Sequence, residues 1–200
     1  EEGMRFAEQL ASTLRDESYL ASALLAKEKG MFPALKRNGG PSLLKRTSTF
    51  IKTLPEGLQR IIEKNGLRNV ALNTVAPTGT ISFSLGQNCS SGIEPIFSLS
   101  YKRTIRVGAA EGEDTKTETV WDNGWLTYVM NHKRENETLD EAADRLHRDL
   151  KDYSNPFKTT FELSPDAHLA MQAMWQKYID SSISKTMNLP TGFKLESYGD

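Results

Sequence analysis

Two hundred residues carry 25 lysines and arginines against 26 acids, a formal net charge of −1. That length allows one globular domain, or two small ones, with a real core, and the charge balance argues against a dedicated nucleic-acid binder, which would carry a basic face. The single cysteine, Cys89, excludes an internal disulfide framework and any cysteine-rich metal cluster. No apolar run approaches the roughly 18 residues of a membrane span. The amino end, EEGMRFAEQL, lacks the basic start and apolar centre of a secretory leader, so a cytoplasmic protein is expected. Because the chain opens on Glu1 and stops at LESYGD, it is also expected to be a piece of a longer polypeptide.

From Glu2 to Lys29, Phe6, Leu10, Leu14, Leu24 and Leu25 stand among charges at helical spacing, which predicts one long helix or two consecutive ones with these residues as the apolar stripe. Gly30 with Pro33 beyond it is a stop signal. Residues 36–48, KRNGGPSLLKRTS, are expected as an exposed loop around Gly39-Gly40-Pro41. LPEGLQRIIEKNG then reads as a short helix, with Leu58, Ile61 and Ile62 buried and Gly66 in the left-handed position after its end. RNVALNTV predicts a strand, and IFSLSYKRTIRV, Ile96 to Val107, a second one by its alternation and β-branched content. Residues 108–119 are polar and glycine-containing, hence an exposed excursion.

TLDEAADRLHRDLKDY is an amphipathic helix with Thr138 as N-cap and Glu141 at the capping-box position. In SPDAHLAMQAMWQKYID, Ser164 caps, Pro165 fits the first turn and Asp166 suits the positive end of the dipole. Ala167, Ala170, Met171, Met174, Trp175 and Tyr178 share a face that reads as core. SISKTMNLP closes the pattern as a short strand. Strands alternating with helices indicate an α/β arrangement.

The chemistry concentrates in LNTVAPTGTISFSLGQNCSSGIEP, Leu72 to Pro95, where small hydroxyl and glycine residues follow an apolar run almost without charge. Proline fixes φ and glycine tolerates positive φ, so Pro77-Thr78-Gly79-Thr80 can turn sharply. Such turns can aim successive amides into one concavity that binds anions, with the hydroxyls of Thr78, Thr80 and Ser82 as further donors. A tight structural turn explains the same composition. The spacing is neither a P-loop nor a dinucleotide fingerprint. A lone cysteine such as Cys89 is most often inert, and Glu94 is either a buried carboxylate with a partner or a turn acid. His132, His147 and His168 support no site, no metal-ligand spacing occurs, and Lys45-Arg46 and Lys102-Arg103 read as solvated faces.

Taken together, NVALNTVAPTGTISFSLGQNCSSGIEPIFSLSYKR and MQAMWQKYIDSSISKTMNLP resemble the catalytic subunit of ribonucleotide reductases, best the class II, adenosylcobalamin-dependent branch. The resemblance runs with gaps from about Ala21 to Pro190. It implies part of the ten-stranded α/β barrel that houses the radical chemistry, with residues 1–200 as one segment of that domain. It implies that Pro77, Thr78, Gly79, Thr80 and Ile81 bind the phosphates of a ribonucleotide substrate on its way to the 2′-deoxyribonucleotide. Ser90 to Pro95 would give the same cavity shape and support, while the strand through Ser184, Lys185 and Thr186 receives no chemistry. Adenosylcobalamin is implied as cofactor, mostly contacted outside this chain. Implied partners are the remainder of the catalytic subunit and a thiol reductant, with a homodimer left open and neither a membrane nor nucleic acid. The family's chemistry needs a radical cysteine and a reducing cysteine pair, so no catalytic residue is assigned here and Cys89 is not given the radical role. Two alternatives stay open: the class I large subunit, and a non-catalytic phosphate-binding module derived from the barrel.

Overall fold

The computed structural model describes residues 2–85, 90–106, 115–150, 155–189 and 192, with the side chains of Phe83 and Leu85 set aside. They gather into two compact units, Glu1–Val75 with Ala170–Ser184, and Ala76–Leu169 with Lys185–Asp200.

The first unit is built on α1 (Glu2–Lys29), whose interior has no proline and is rich in alanine, leucine and glutamate. Its buried residues are Ala11, Arg15, Tyr19, Ser22, Ala23 and Ala26. The expected stripe is instead exposed, from Phe6 at 70% to Leu25 at 38%. Four of the six residues on the packed face are alanine or serine, which lets neighbouring elements approach closely, and the buried Arg15 is paired with the Asp16 carboxylate at 2.7 Å. Side-chain size alone selected the wrong face.

Residues 36–48, expected as an exposed loop, are partly helical, with Leu43 and Leu44 half-buried and Leu44 packed against the core cluster. A short α2 (Pro33–Arg37) is followed by α3 (Pro41–Thr47). Gly40 turns the chain at φ 71° and Pro41 fits the first helical position, so the glycine-proline pair starts a helix rather than preventing one. In α4 (Glu56–Asn65), Leu58 and Ile62 are buried, and Gly66 takes φ 76° after the last turn. A Cβ there would meet the Met31 Cβ at 3.0 Å, so Gly66 is required by space as well as by conformation. Tyr19, Ala23, Ile51, Leu54, Leu58, Ile62 and Leu67 form one core cluster.

The strand expected over residues 68–75 reduces to one parallel bridge, Val75 with Ile183. The rest of that backbone has other partners. The Leu72 and Asn73 amides donate to the two carboxylate oxygens of Asp180, each at 2.9 Å, and the Arg68 amide donates to the Ser22 carbonyl at 3.1 Å. Backbone pairing is confined to its end, where the Val75 amide donates to the Ser182 carbonyl at 3.0 Å and the Ser184 amide to the Val75 carbonyl at 2.9 Å.

In the second unit, α5 (Gly79–Leu85) occupies the place of the expected sharp turn. β1 (Ser100–Arg106) pairs antiparallel with β2 (Thr115–Trp121), with Ser100 opposite Trp121 and Arg106 opposite Thr115. The expected excursion over 108–119 therefore ends earlier. Its last residues, with their alternating threonines, join a strand, while 107–114 lie outside the described residues. Facing Thr104 and Thr117 hydroxyls lie 3.2 Å apart across the ribbon.

Next comes α6 (Asn123–His132), capped by the Asp122 carboxylate on the Trp125 amide at 2.8 Å; His132, expected in a loop, is its last residue. In α7 (Leu139–Asp149) the predicted capping box is complete: Thr138 Oγ1 accepts from the Glu141 amide and the Glu141 carboxylate accepts from the Thr138 amide. Leu99, Trp121, Trp125, Val129, Ala142, Ala143 and Leu146 form the core, with the Phe157 ring 5.1 Å from Trp125.

α8 (Pro165–Gln176) starts at Ser164 Oγ, which accepts from the Ala167 amide at 3.2 Å. Of its expected core face Met174 is buried, Ala167, Met171, Trp175 and Tyr178 are half-buried and Ala170 is exposed. Among the described residues no helix is long and apolar enough to cross a membrane.

Candidate functional site

The second unit contains a cavity of about 580 Å³, a size that accommodates one small organic ligand. Segments distant in sequence converge on it. Pro77, Gly79 and Ser82 come from the hydroxyl-rich stretch, Ser90, Ser91 and Glu94 from the Ser-Ser-Gly-Ile-Glu-Pro run, and Thr186 and Asn188 from the last extended segment. Tyr101 of β1 and the buried Thr160 complete different parts of the wall.

Pro77 and Gly79 thus reach the cavity, whereas Thr78, Thr80 and Ile81 are not among its lining residues, and Ile81 is 64% exposed. Gly79 has no positive φ. It is the first residue of α5, and its amide donates to the Pro77 carbonyl at 2.9 Å. The Ser82 hydroxyl donates to the Gly79 carbonyl at 2.7 Å, so its hydrogen is spent within the helix. The left-handed glycine is Gly92, at φ 57°. Its amide donates to Thr78 Oγ1 at 3.0 Å and ties the two hydroxyl-rich segments together. Cys89 lies outside the described residues.

Glu94 resolves in favour of a partnered carboxylate. One oxygen accepts from the Lys185 ammonium and the other from the Thr186 amide, both at 2.5 Å. Lys185 is 4% exposed in its side chain and also reaches His168 Nδ1 at 2.8 Å. His168 is buried, and its Nε2 lies 3.3 Å from the Thr160 carbonyl. The Thr160 hydroxyl in turn donates to the Pro95 carbonyl at 3.0 Å.

Sequence reading missed Lys185 and His168 because a lysine in an extended run and a histidine opening an amphipathic helix look solvated when read locally. Their partner, Glu94, is separated from Lys185 by 91 positions. The one available signal was Glu94 itself, an acid between isoleucine and proline. His132 and His147 are exposed as expected, and among the described residues no group of histidine, cysteine and acids could hold a metal ion.

A family model described as "Ribonucleotide reductase, barrel domain" matches residues 1–198. The chain belongs to this family. A vitamin B12-dependent ribonucleoside-diphosphate reductase of Thermoplasma acidophilum is 34% identical over 196 residues, covering 94% of this chain and 21% of the relative. One of the same name from Mycobacterium tuberculosis is 31% identical over 197 residues, 95% of this chain and 24% of the relative. The ribonucleoside-diphosphate reductase subunit alpha of Chlamydia pneumoniae is 26% identical over 228 residues, 98% of this chain and 20% of the relative. The chain therefore spans about a fifth to a quarter of the length of these relatives. The ribonucleotide reductase resemblance holds, and over more of the chain than the motifs that first carried it. Helices with a two-stranded sheet are consistent with part of that family's α/β barrel.

Proposed function

We propose that this chain is the part of a cobalamin-dependent ribonucleotide reductase that holds the substrate's phosphates. The observation that carries the reading is the convergence of Pro77 and Gly79, Ser90 and Ser91, and Thr186 on one cavity. The family and the names of the relatives supply the substrate class, a ribonucleotide reduced to the 2′-deoxyribonucleotide, and the cytoplasm is the location that goes with this reading. Pro77 to Ile81 form the phosphate segment. Its part is to bind and orient: Pro77 and Gly79 leave space at the cavity, Thr78 sets the segment's position through Gly92, and Thr80 and Ile81 complete the first turn of α5. Small neutral groups let an anion approach backbone closely, where a bulkier side chain would obstruct it.

The described residues do not fit adenosylcobalamin. A cavity of about 580 Å³ suits a drug-sized molecule, and a corrin with its axial groups is far larger. Reduction breaks the C2′–O bond, releases the oxygen as water and oxidises two thiols to a disulfide. One cysteine cannot supply that pair, so the remainder of the catalytic subunit brings the redox cysteines and a thiol reductant recycles them.

The test uses the catalytic subunit containing this segment. Gly79→Val adds bulk at the cavity wall, a Cβ at Gly79 meets nothing within 4 Å, and Tm is measured beside the affinity. Titration calorimetry is expected to show about tenfold or greater loss of ribonucleoside diphosphate affinity, the equivalent of one good polar contact. Affinity for the unphosphorylated nucleoside should hold. Unchanged diphosphate affinity would remove Pro77 to Ile81 from the site. Cys89→Ser should leave turnover nearly intact, and abolished turnover would restore a catalytic role to that thiol.

A further inference from the structure

The Glu94, Lys185 and His168 cluster is an ionic assembly at the cavity wall that the phosphate reading leaves without a task. An ammonium carries three hydrogens. Those of Lys185 have three acceptors within reach: Glu94 Oε2 at 2.5 Å, the Thr186 carbonyl at 2.5 Å and His168 Nδ1 at 2.8 Å. For Nδ1 to accept, its imidazole must be neutral with the hydrogen on Nε2, which faces the Thr160 carbonyl at 3.3 Å; the network assigns this tautomer. Lys185 therefore has no hydrogen left for a phosphate oxygen, although a cation beside a phosphate cavity would ordinarily be read as its ligand.

We infer that Glu94, Lys185 and His168 are positioning residues of the nucleotide site. Glu94 is held at both oxygens, by Lys185 and by the Thr186 amide. That fixes the turn through Gly92, whose amide holds Thr78 Oγ1. The assembly thereby sets where the Pro77–Gly79 segment stands, from the far side of the cavity wall. A buried ion pair contributes little net stability but defines geometry sharply, since its members tolerate few alternative partners. The inference rests on the phosphate reading of the cavity.

The test again uses the catalytic subunit, with Lys185→Met, Glu94→Gln and the double variant. Affinities for a ribonucleoside diphosphate and for the matching nucleoside are measured beside Tm. Each single variant should bind the diphosphate about tenfold more weakly, as for a lost charge-assisted hydrogen bond, and bind the nucleoside unchanged. The double variant should be no weaker than the weaker single, because the pair acts as a unit. It should also regain Tm over the singles, because no lone charge stays buried.

Should the singles fail to fold, the double decides: a near-normal Tm with weakened diphosphate binding supports positioning, and unaltered affinity overturns it. Equal losses for nucleoside and diphosphate, or a loss for Lys185→Met with none for Glu94→Gln, would also overturn it. The latter would make Lys185 a direct ligand. If the unaltered subunit does not prefer the diphosphate over the nucleoside, the phosphate reading falls and takes this inference with it, an outcome read before any variant is made.

Discussion

Asp180 in the first unit and Glu94 in the second each accept from backbone amides of an extended segment, two for Asp180 and one for Glu94, and they differ in what else they hold. Asp180 accepts from the Leu72 and Asn73 amides and from the Tyr19 hydroxyl at 2.8 Å, all neutral donors. Glu94 accepts from one amide and one ammonium, and it lines a cavity. A carboxylate satisfied by neutral dipoles beside a core cluster serves the fold. One matched by a buried cation at a cavity wall fixes geometry where a ligand would sit. Burial alone does not separate these roles, and the partner set does.

The comparison is broken most directly at Asp180. Asp180→Ala leaves two amides and a phenol without their acceptor and should cost about 3 kcal/mol in denaturant unfolding. Its effect on nucleotide affinity should be small, the reverse of the pattern expected for Glu94→Gln. A matching loss of affinity would dissolve the distinction.

Tyr19→Phe removes one of the three donors and should cost about 1 kcal/mol. Burial, then the hydrogen bond to Asp180, pushes the Tyr19 hydroxyl well above its ordinary value of 10. A raised folded value favours the protonated form, so this stabilisation is complete below pH 10 and declines as pH rises beyond it. An alkaline unfolding series should show that decline in the parent and less of it in the phenylalanine variant. Parallel curves would mean that Asp180 does not hold a phenol.

The smallest effect sharpens the comparison with a third carboxylate. Glu137 lies 2.7 Å from the Arg145 guanidinium, whose hydrogen bond, with that of the Arg134 amide, lowers it to about 2. Its contribution is present above the ordinary value of 4.5 and fades as pH falls towards 2. Acid unfolding of the parent and of Glu137→Gln should therefore converge near pH 2. Curves that stay apart there would assign the difference to something other than this ion pair.

What the sequence disclosed depended on the distance between partners. The capping box of α7 joins residues three apart and was read correctly, as were the Gly66 terminus and the Ser164 cap. The packed face of α1 was not, because four of its six buried residues are alanine or serine, which give a weaker periodic signal than leucine, and a fifth is an arginine. The strand over 68–75 failed because Asp180 supplies its acceptors from more than a hundred positions away. At the site, the unusual composition located the stretch, but the glycine that needs its left-handed backbone is Gly92 rather than Gly79. No local pattern could join Glu94 to Lys185 and His168.

The commitment of Lys185 carries over to how a ligand would arrive. Among the described lining residues there is neither lysine nor arginine, and the acid present is offset by an ammonium behind it. Attraction across solvent is then weak, and mobile counterions have little to screen. Association of a nucleotide with this cavity should be nearly indifferent to ionic strength, which stopped-flow rates in low and high potassium chloride would reveal.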